Sequence, residues 1–197
     1  MKRLQRALEC FIDDSGLVRP LAEVLDLVCA EGRVTYGQIK EVGGADTDEL
    51  LLLAYELRLI IPVKTLRTSA WEDKLLEFID GALYEVPNIV RLLVANAKNT
   101  GCWDPGGAIK KIFEDMDVEE STGITYLVEK LCRSSECHKI SAWQIKNACK
   151  ALELSQSADT IIADLKAAGI ISPKLEVMSE VKQARAPLYE INPALCV

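Results

Sequence analysis

The sequence predicts a mainly α fold with small β-hairpins, built as two similar units at 1–70 and 121–197 joined by a helical segment at 71–120. Three observations lead there. At 197 residues the chain exceeds what one small unit needs. Its apolar residues recur mostly at helical spacing, interrupted by short β-rich stretches. A motif also repeats: VTYGQIK (34–40) matches ISAWQIK (140–146) at an offset of 106, and YELRLIIPVK (55–64) lies over LKAAGIISPK (165–174) at 110.

In the second unit, Leu127, Val128 and Leu131 mark a first helix from about Ile124 to Arg133. Ser141 stands as N-cap of a second, whose apolar side is Ile145, Cys149 and Leu152. LSQSADTIIADLKAAGIIS (154–172) then supplies a turn and a third helix. Ala158, Ile161, Ile162, Leu165 and Ala168 share one face of that helix, and Gly169 ends it. Ile170-Ile171, a polar excursion and LYEI (188–191) read as a hairpin with a long loop. The first unit follows suit, with helices from about Pro20 to Ala30, Tyr36 to Glu41 and Asp46 to Leu59. Its hairpin is poorer, because IIPVKTLRTS runs into a helical pattern at Trp71. Between the units, helices are expected near 71–84, 87–98 and 104–115, the last opened by Asp104 as N-cap and Pro105 at its first position. The acidic stretch MDVEESTG (116–123) marks the boundary of the second unit.

LSQSADTIIADLKAAGII with its hairpin, and VTYGQIK through LRLIIP, resemble a tandem winged helix-turn-helix protein. That resemblance implies either a transcription regulator or an assembly module, such as the acidic tandem winged-helix subunits of chromosome-condensation complexes.

Composition narrows the choice. The chain carries a formal charge of −7. Residues 1–122 hold 14 basic against 22 acidic side chains, whereas 123–197 hold 9 against 8. Affinity for a polyanion therefore belongs to the second unit. The most apolar run, LLLLAYELRLIIPV (50–63), carries Glu56 and Arg58 and is too short to span a bilayer. The N-terminus has Arg6, Glu9, Asp13 and Asp14 where an export signal is apolar, so a cytoplasmic location without membrane attachment is expected. Seven scattered cysteines in such a compartment read mostly as small buried hydrophobes rather than a disulfide framework.

On the third helix of the second unit, the side opposite the apolar face is Thr160, Ala163 and Ala167, flanked by Asp159 and Asp164. A base-reading helix offers Arg, Lys, Asn or Gln there. The DNA-binding candidates that remain are Ser155, Gln156 and Ser157 at the helix start with Lys182 and Arg185 in the hairpin loop, suited to weak backbone contacts. Carried across the repeat at 110, the outward residues become Leu50, Leu53 and Leu57. The inner face becomes Leu51, Leu52, Tyr55 and Leu59. Three leucines left in water would forgo about 1.5 to 3 kcal/mol each. They are expected to be covered by the helices of 71–98 or by a protein partner, including a second copy across a two-fold axis.

Other motifs argue against further chemistry. Cys132, Cys137, His138 and Cys149 are ligand types at spacings that do not suit a structural zinc site, and His138 reads as a helix C-terminal residue. GCWDPGGAIKK (101–111) lacks the Gly-Lys-Ser/Thr ending of a phosphate loop. With one histidine and no nucleophile beside a base, no catalytic residue is assigned and neither metal nor cofactor is expected. The sequence thus favours a non-catalytic regulatory or assembly protein acting through protein contacts, with a DNA-binding regulator as the alternative.

Overall fold

The computed structural model describes residues 1–175 and 186–197. The first unit runs α2 (Ser15–Glu31), β1 (Arg33–Thr35), α3 (Tyr36–Gly43), α4 (Thr47–Glu56), β2 (Ile61–Pro62) and β3 (Leu83–Glu85), preceded by α1 (Lys2–Leu8). After α5 (Asn88–Thr100) and α6 (Pro105–Asp115) the same order returns. The second unit is α7 (Ser121–Ser134), β4 (Lys139–Ser141), α8 (Ala142–Ala151), α9 (Ala158–Ala167), β5 (Ile171–Pro173) and β6 (Leu188–Ile191). Among the described residues the fold is therefore mainly helical with two small antiparallel sheets, ordered β1-β3-β2 and β4-β6-β5. Among the described residues no helix is long and apolar enough to cross a membrane.

Local chemistry explains the repeat. In the first unit the Thr35 hydroxyl accepts from the Gln38 backbone N–H, while the Thr35 N–H donates to Gln38 Oε1 at 2.8 Å. Ser141 and Gln144 build the same capping box at the start of α8, with the return bond at 2.7 Å. The shared Gln-Ile-Lys is thus a helix start followed by a core residue, since Ile39 and Ile145 are both fully buried. The strand register repeats too. Val34 pairs with Tyr84 and Ile140 with Tyr189. One helix residue beyond each first strand, the Tyr36 N–H donates to Ala82 O and the Ala142 N–H to Pro187 O.

The helix expected near 71–84 is absent. A 3-10 turn at Trp71–Asp73 is followed by extended chain that returns to the first sheet as β3. The cause is Asp73, whose carboxylate accepts the backbone N–H groups of Arg67 (2.6 Å) and Thr68. That closes the loop, and the Leu75 N–H then donates to Lys64 O around an isolated antiparallel bridge between Thr65 and Lys74. The break expected after residue 70 consequently falls inside the loop between two strands of one sheet.

The two units are packed against each other. One hydrophobic core runs from Leu4 to Leu195. At the seam the Arg58 guanidinium forks onto the Glu190 carboxylate, at 3.0 Å from Nε and 3.3 Å from Nη2, with both side chains about nine-tenths buried. Asn192 Nδ2 donates to Arg58 O, the Trp71 N–H donates to Ser172 Oγ at 2.9 Å, and the Ile89 N–H donates to Ala168 O at 3.0 Å.

Candidate functional site

The outer face of α9 lies where periodicity placed it. Ile161, Ile162 and Leu165 are buried, while Thr160, Ala163 and Ala167 are exposed beside Asp159. The turn before it is already occupied. Ser157 caps the helix, accepting from the Thr160 N–H at 3.2 Å, and its hydroxyl also meets the Thr160 hydroxyl. The N–H groups of Ser155 and Gln156 donate to the carboxylate of Glu120, at 3.0 and 3.4 Å, which holds that carboxyl below the usual glutamate range. A phosphate approaching this turn would have to displace Glu120. The remaining DNA candidates, Lys182 and Arg185, lie outside the described residues.

The face predicted for α4 is corrected by one residue. Arg58 (φ 52°) occupies the left-handed position that Gly169 (φ 74°) occupies after α9, and the bonds Leu59 N–H to Ala54 O and Ile170 N–H to Leu165 O are equivalent. Both comparisons give an offset of 111, not 110, and one residue turns a helix by about 100°. The true counterparts of Thr160, Ala163 and Ala167 are Glu49, Leu52 and Glu56, all exposed. Leu50, expected outside, is fully buried, and Leu52, expected inside, is 47 % exposed. Leu53 and Leu57 are half-buried.

The residues that share a groove with this face come from the segment linking α1 to α2 and from the start of α2. Phe11, Ile12 and Leu17 face Leu52, Leu53 and Leu57 across a groove of about 370 Å³. Phe11 is braced from behind by Trp103, ring centroids 5.0 Å apart. Asp13, Asp14, Glu49 and Glu56 edge the groove, and among the described residues no Lys or Arg lines it. Asp14 caps α2, accepting from the Gly16 N–H at 2.8 Å. Among the described residues, Asp13, Glu49 and Glu56 form no ion pair. No sequence motif announces the groove, because its two walls are some 40 residues apart in the chain.

The cysteines depart from expectation. Cys132 and Cys196 form a disulfide that ties the C-terminal end to α7, and Cys10, Cys102 and Cys137 are exposed. Cys149 is buried as its helix face requires, and burial pushes the Cys29 thiol up to about 11. His138 sits not at a helix end but in the turn before β4, at φ 60°, three residues past the helix cap Ser135. Among the described residues no three His, Cys, Asp or Glu side chains converge as a metal site would need. Asp104 caps α6 by accepting from the Gly107 N–H at 3.0 Å, and a Cβ at Gly107 would fall 2.3 Å from that carboxylate. A side chain there would require the Asp104 carboxylate to shift.

The class these features define is a mainly helical protein with two sheet-bearing units and a surface groove. A protein-family model matches residues 5–197, so the chain belongs to that family, whose function is uncharacterised. No curated protein and no solved structure matches the chain.

Proposed function

We propose that this chain is a non-catalytic tandem winged-helix protein that serves regulation or assembly through protein contacts, as a cytoplasmic component meeting a protein partner or a second copy. The helix, strand, helix, helix, strand, strand order of each unit, with the third strand between the other two, supports the winged-helix assignment. The observation that carries the protein-contact reading is the pair of third helices. Their exposed strips are Thr160, Ala163 and Ala167 on α9 and Glu49, Leu52 and Glu56 on α4. Neither strip offers the Arg, Lys, Asn or Gln with which a recognition helix reads base edges, and the acidic one repels phosphate. Glu120 already fills the N–H pair that would otherwise receive a phosphate oxygen.

The test is fluorescence anisotropy of a labelled generic duplex titrated with the full chain at low and physiological salt. Even a non-specific DNA-binding module reaches a Kd of about 10⁻⁴ to 10⁻⁶ M at physiological salt. We expect no saturable signal in that range. Binding that is tight, salt-dependent and abolished by Lys182→Ala with Arg185→Ala would replace this reading with the DNA-binding regulator.

A further inference from the structure

We propose that the groove between the α1–α2 segment and α4 docks a basic amphipathic helix of a partner protein. The proposal rests on the protein-contact reading above and names the chemistry of the partner. Leu52, 47 % exposed at the centre of the outer face of α4, continues the apolar floor supplied by Leu53 and Phe11. Such a surface in water loses free energy that an apolar side chain seated there would recover.

Charge selects the occupant. Some acidic side chains elsewhere are matched by cations, as in Lys98 with Asp26, Lys110 with Glu114 and Lys111 with Asp115. At the groove Asp13, Glu49 and Glu56 have no such partner among the described residues. Glu49 has a local reason to be there, since it stands in the first turn of α4 where the helix dipole welcomes an anion. Glu56 has the opposite situation. It is the last residue of α4, where a carboxylate meets the negative end of the dipole with no cation to offset it. The second unit has Ala167 at that position.

Glu49, Leu52, Leu53 and Glu56 fall at i, i+3, i+4 and i+7, so one stripe of α4 presents carboxylate, leucine pair, carboxylate. The matching surface is a helix with a large apolar residue between two Lys or Arg one to two turns apart, seated as helices are in apolar grooves. The basic residues supply orientation and encounter rate, the apolar anchor most of the affinity.

The test uses a fluorescein-labelled Leu/Lys peptide of about four helical turns, patterned as an amphipathic helix, and the full chain. Anisotropy gives affinity, and amide chemical shifts on titration give location. We expect saturable binding, shifts concentrated at 11–17 and 49–57, and affinity lowered about tenfold or more by Glu49→Lys with Glu56→Lys. Leu52→Ala, at an exposed position, is expected to weaken binding without loss of fold. Glu119→Lys with Glu153→Lys changes charge equally away from the groove and is expected to leave affinity within about twofold. Equal weakening by both pairs, or shifts outside the groove, would show diffuse attraction and overturn the proposal. So would sedimentation showing that the chain alone dimerises and that Glu49→Lys with Glu56→Lys abolishes the dimer, because the occupant would then be a second copy. None of these outcomes depends on the DNA titration, so the groove can fail while the protein-contact reading stands.

Discussion

The two units share a framework and differ at equivalent positions of it. Each has a capping box before its second helix, each pairs its first strand with a Leu-Tyr-Glu strand in the same register, and each ends its third helix in a left-handed residue. Where that framework faces water or the neighbouring unit, the residues diverge. The left-handed position is Gly169 in the second unit, where an added Cβ would stand 3.0 Å from Pro87 Cβ. In the first it is Arg58, a residue that bears a left-handed cost of about 1 to 2 kcal/mol. The strand glutamate is half-exposed Glu85, beside Arg33 and Lys74, in the first unit and buried Glu190 in the second. The divergence is coupled, because Arg58 and Glu190 are partners. The strand glutamate is the same residue in both units and only the left-handed residue differs, so the seam pairs Arg58, particular to the first unit, with a glutamate both units share. The strain at Arg58 is offset by the fork to Glu190 and the stacking of its guanidinium 4.3 Å from the Tyr55 ring centre.

The largest expected effect follows from that coupling. Glu190→Ala strands a buried guanidinium and is expected to cost about 3 to 5 kcal/mol in chemical denaturation. Glu85→Ala, the same strand position in the other unit, is expected to cost less, because its hydrogen-bonded partner Arg33 is exposed to water and its contact with the largely buried Lys74 is longer, at 3.7 Å. Similar losses for both would show that the seam is hydrated and that the units do not depend on the pair.

A second contrast tests the one-residue correction of the repeat. Leu50→Ala removes a fully buried side chain and is expected to cost about 2 to 5 kcal/mol. Leu52→Ala, two residues on, is expected to stay within about 0.5 kcal/mol. The reverse order would restore the facing in which Leu50 points outward and Leu52 inward.

What could be read from sequence was what local chemistry determines. Thr35 and Ser141 before Gln, Asp104 before Pro105, and Gly169 after a periodic stretch each specify a helix end through one hydrogen bond or one dihedral angle. The α9 face followed from its own periodicity and holds. The α4 face was inferred by transfer, and transfer fails when the connection between second and third helices differs by five residues rather than four. β3 was missed because three residues are too short to show a period of two, though the Leu-Tyr-Glu at 83–85 recurs at 188–190 and was the available signal. Arg58 with Glu190, Cys132 with Cys196, and the two walls of the groove are pairings across long stretches of chain, which leave no local trace.

The smallest effect concerns how each unit secures a loop with a carboxylate. Asp73 gathers the N–H groups of Arg67 and Thr68 in the first unit, and Glu120 gathers those of Ser155 and Gln156 in the second. Both carboxyls are held below their ordinary range by those donors. The sign follows from linkage. A carboxyl whose folded value is depressed binds its proton more weakly in the folded than in the unfolded chain, so its contribution is complete above the ordinary carboxylate range, about 4. It is lost as pH falls through the lower folded value. Glu120→Gln keeps an oxygen that can accept from Ser155 but removes the charge and the titration. Denaturation midpoints should therefore place wild type modestly above the variant at pH 7, with the gap closing as acid protonates Glu120. A gap of constant size down to pH 2 would mean that the charge of Glu120 contributes nothing to holding the turn, and that the N–H pair ahead of α9 is free to take another anion.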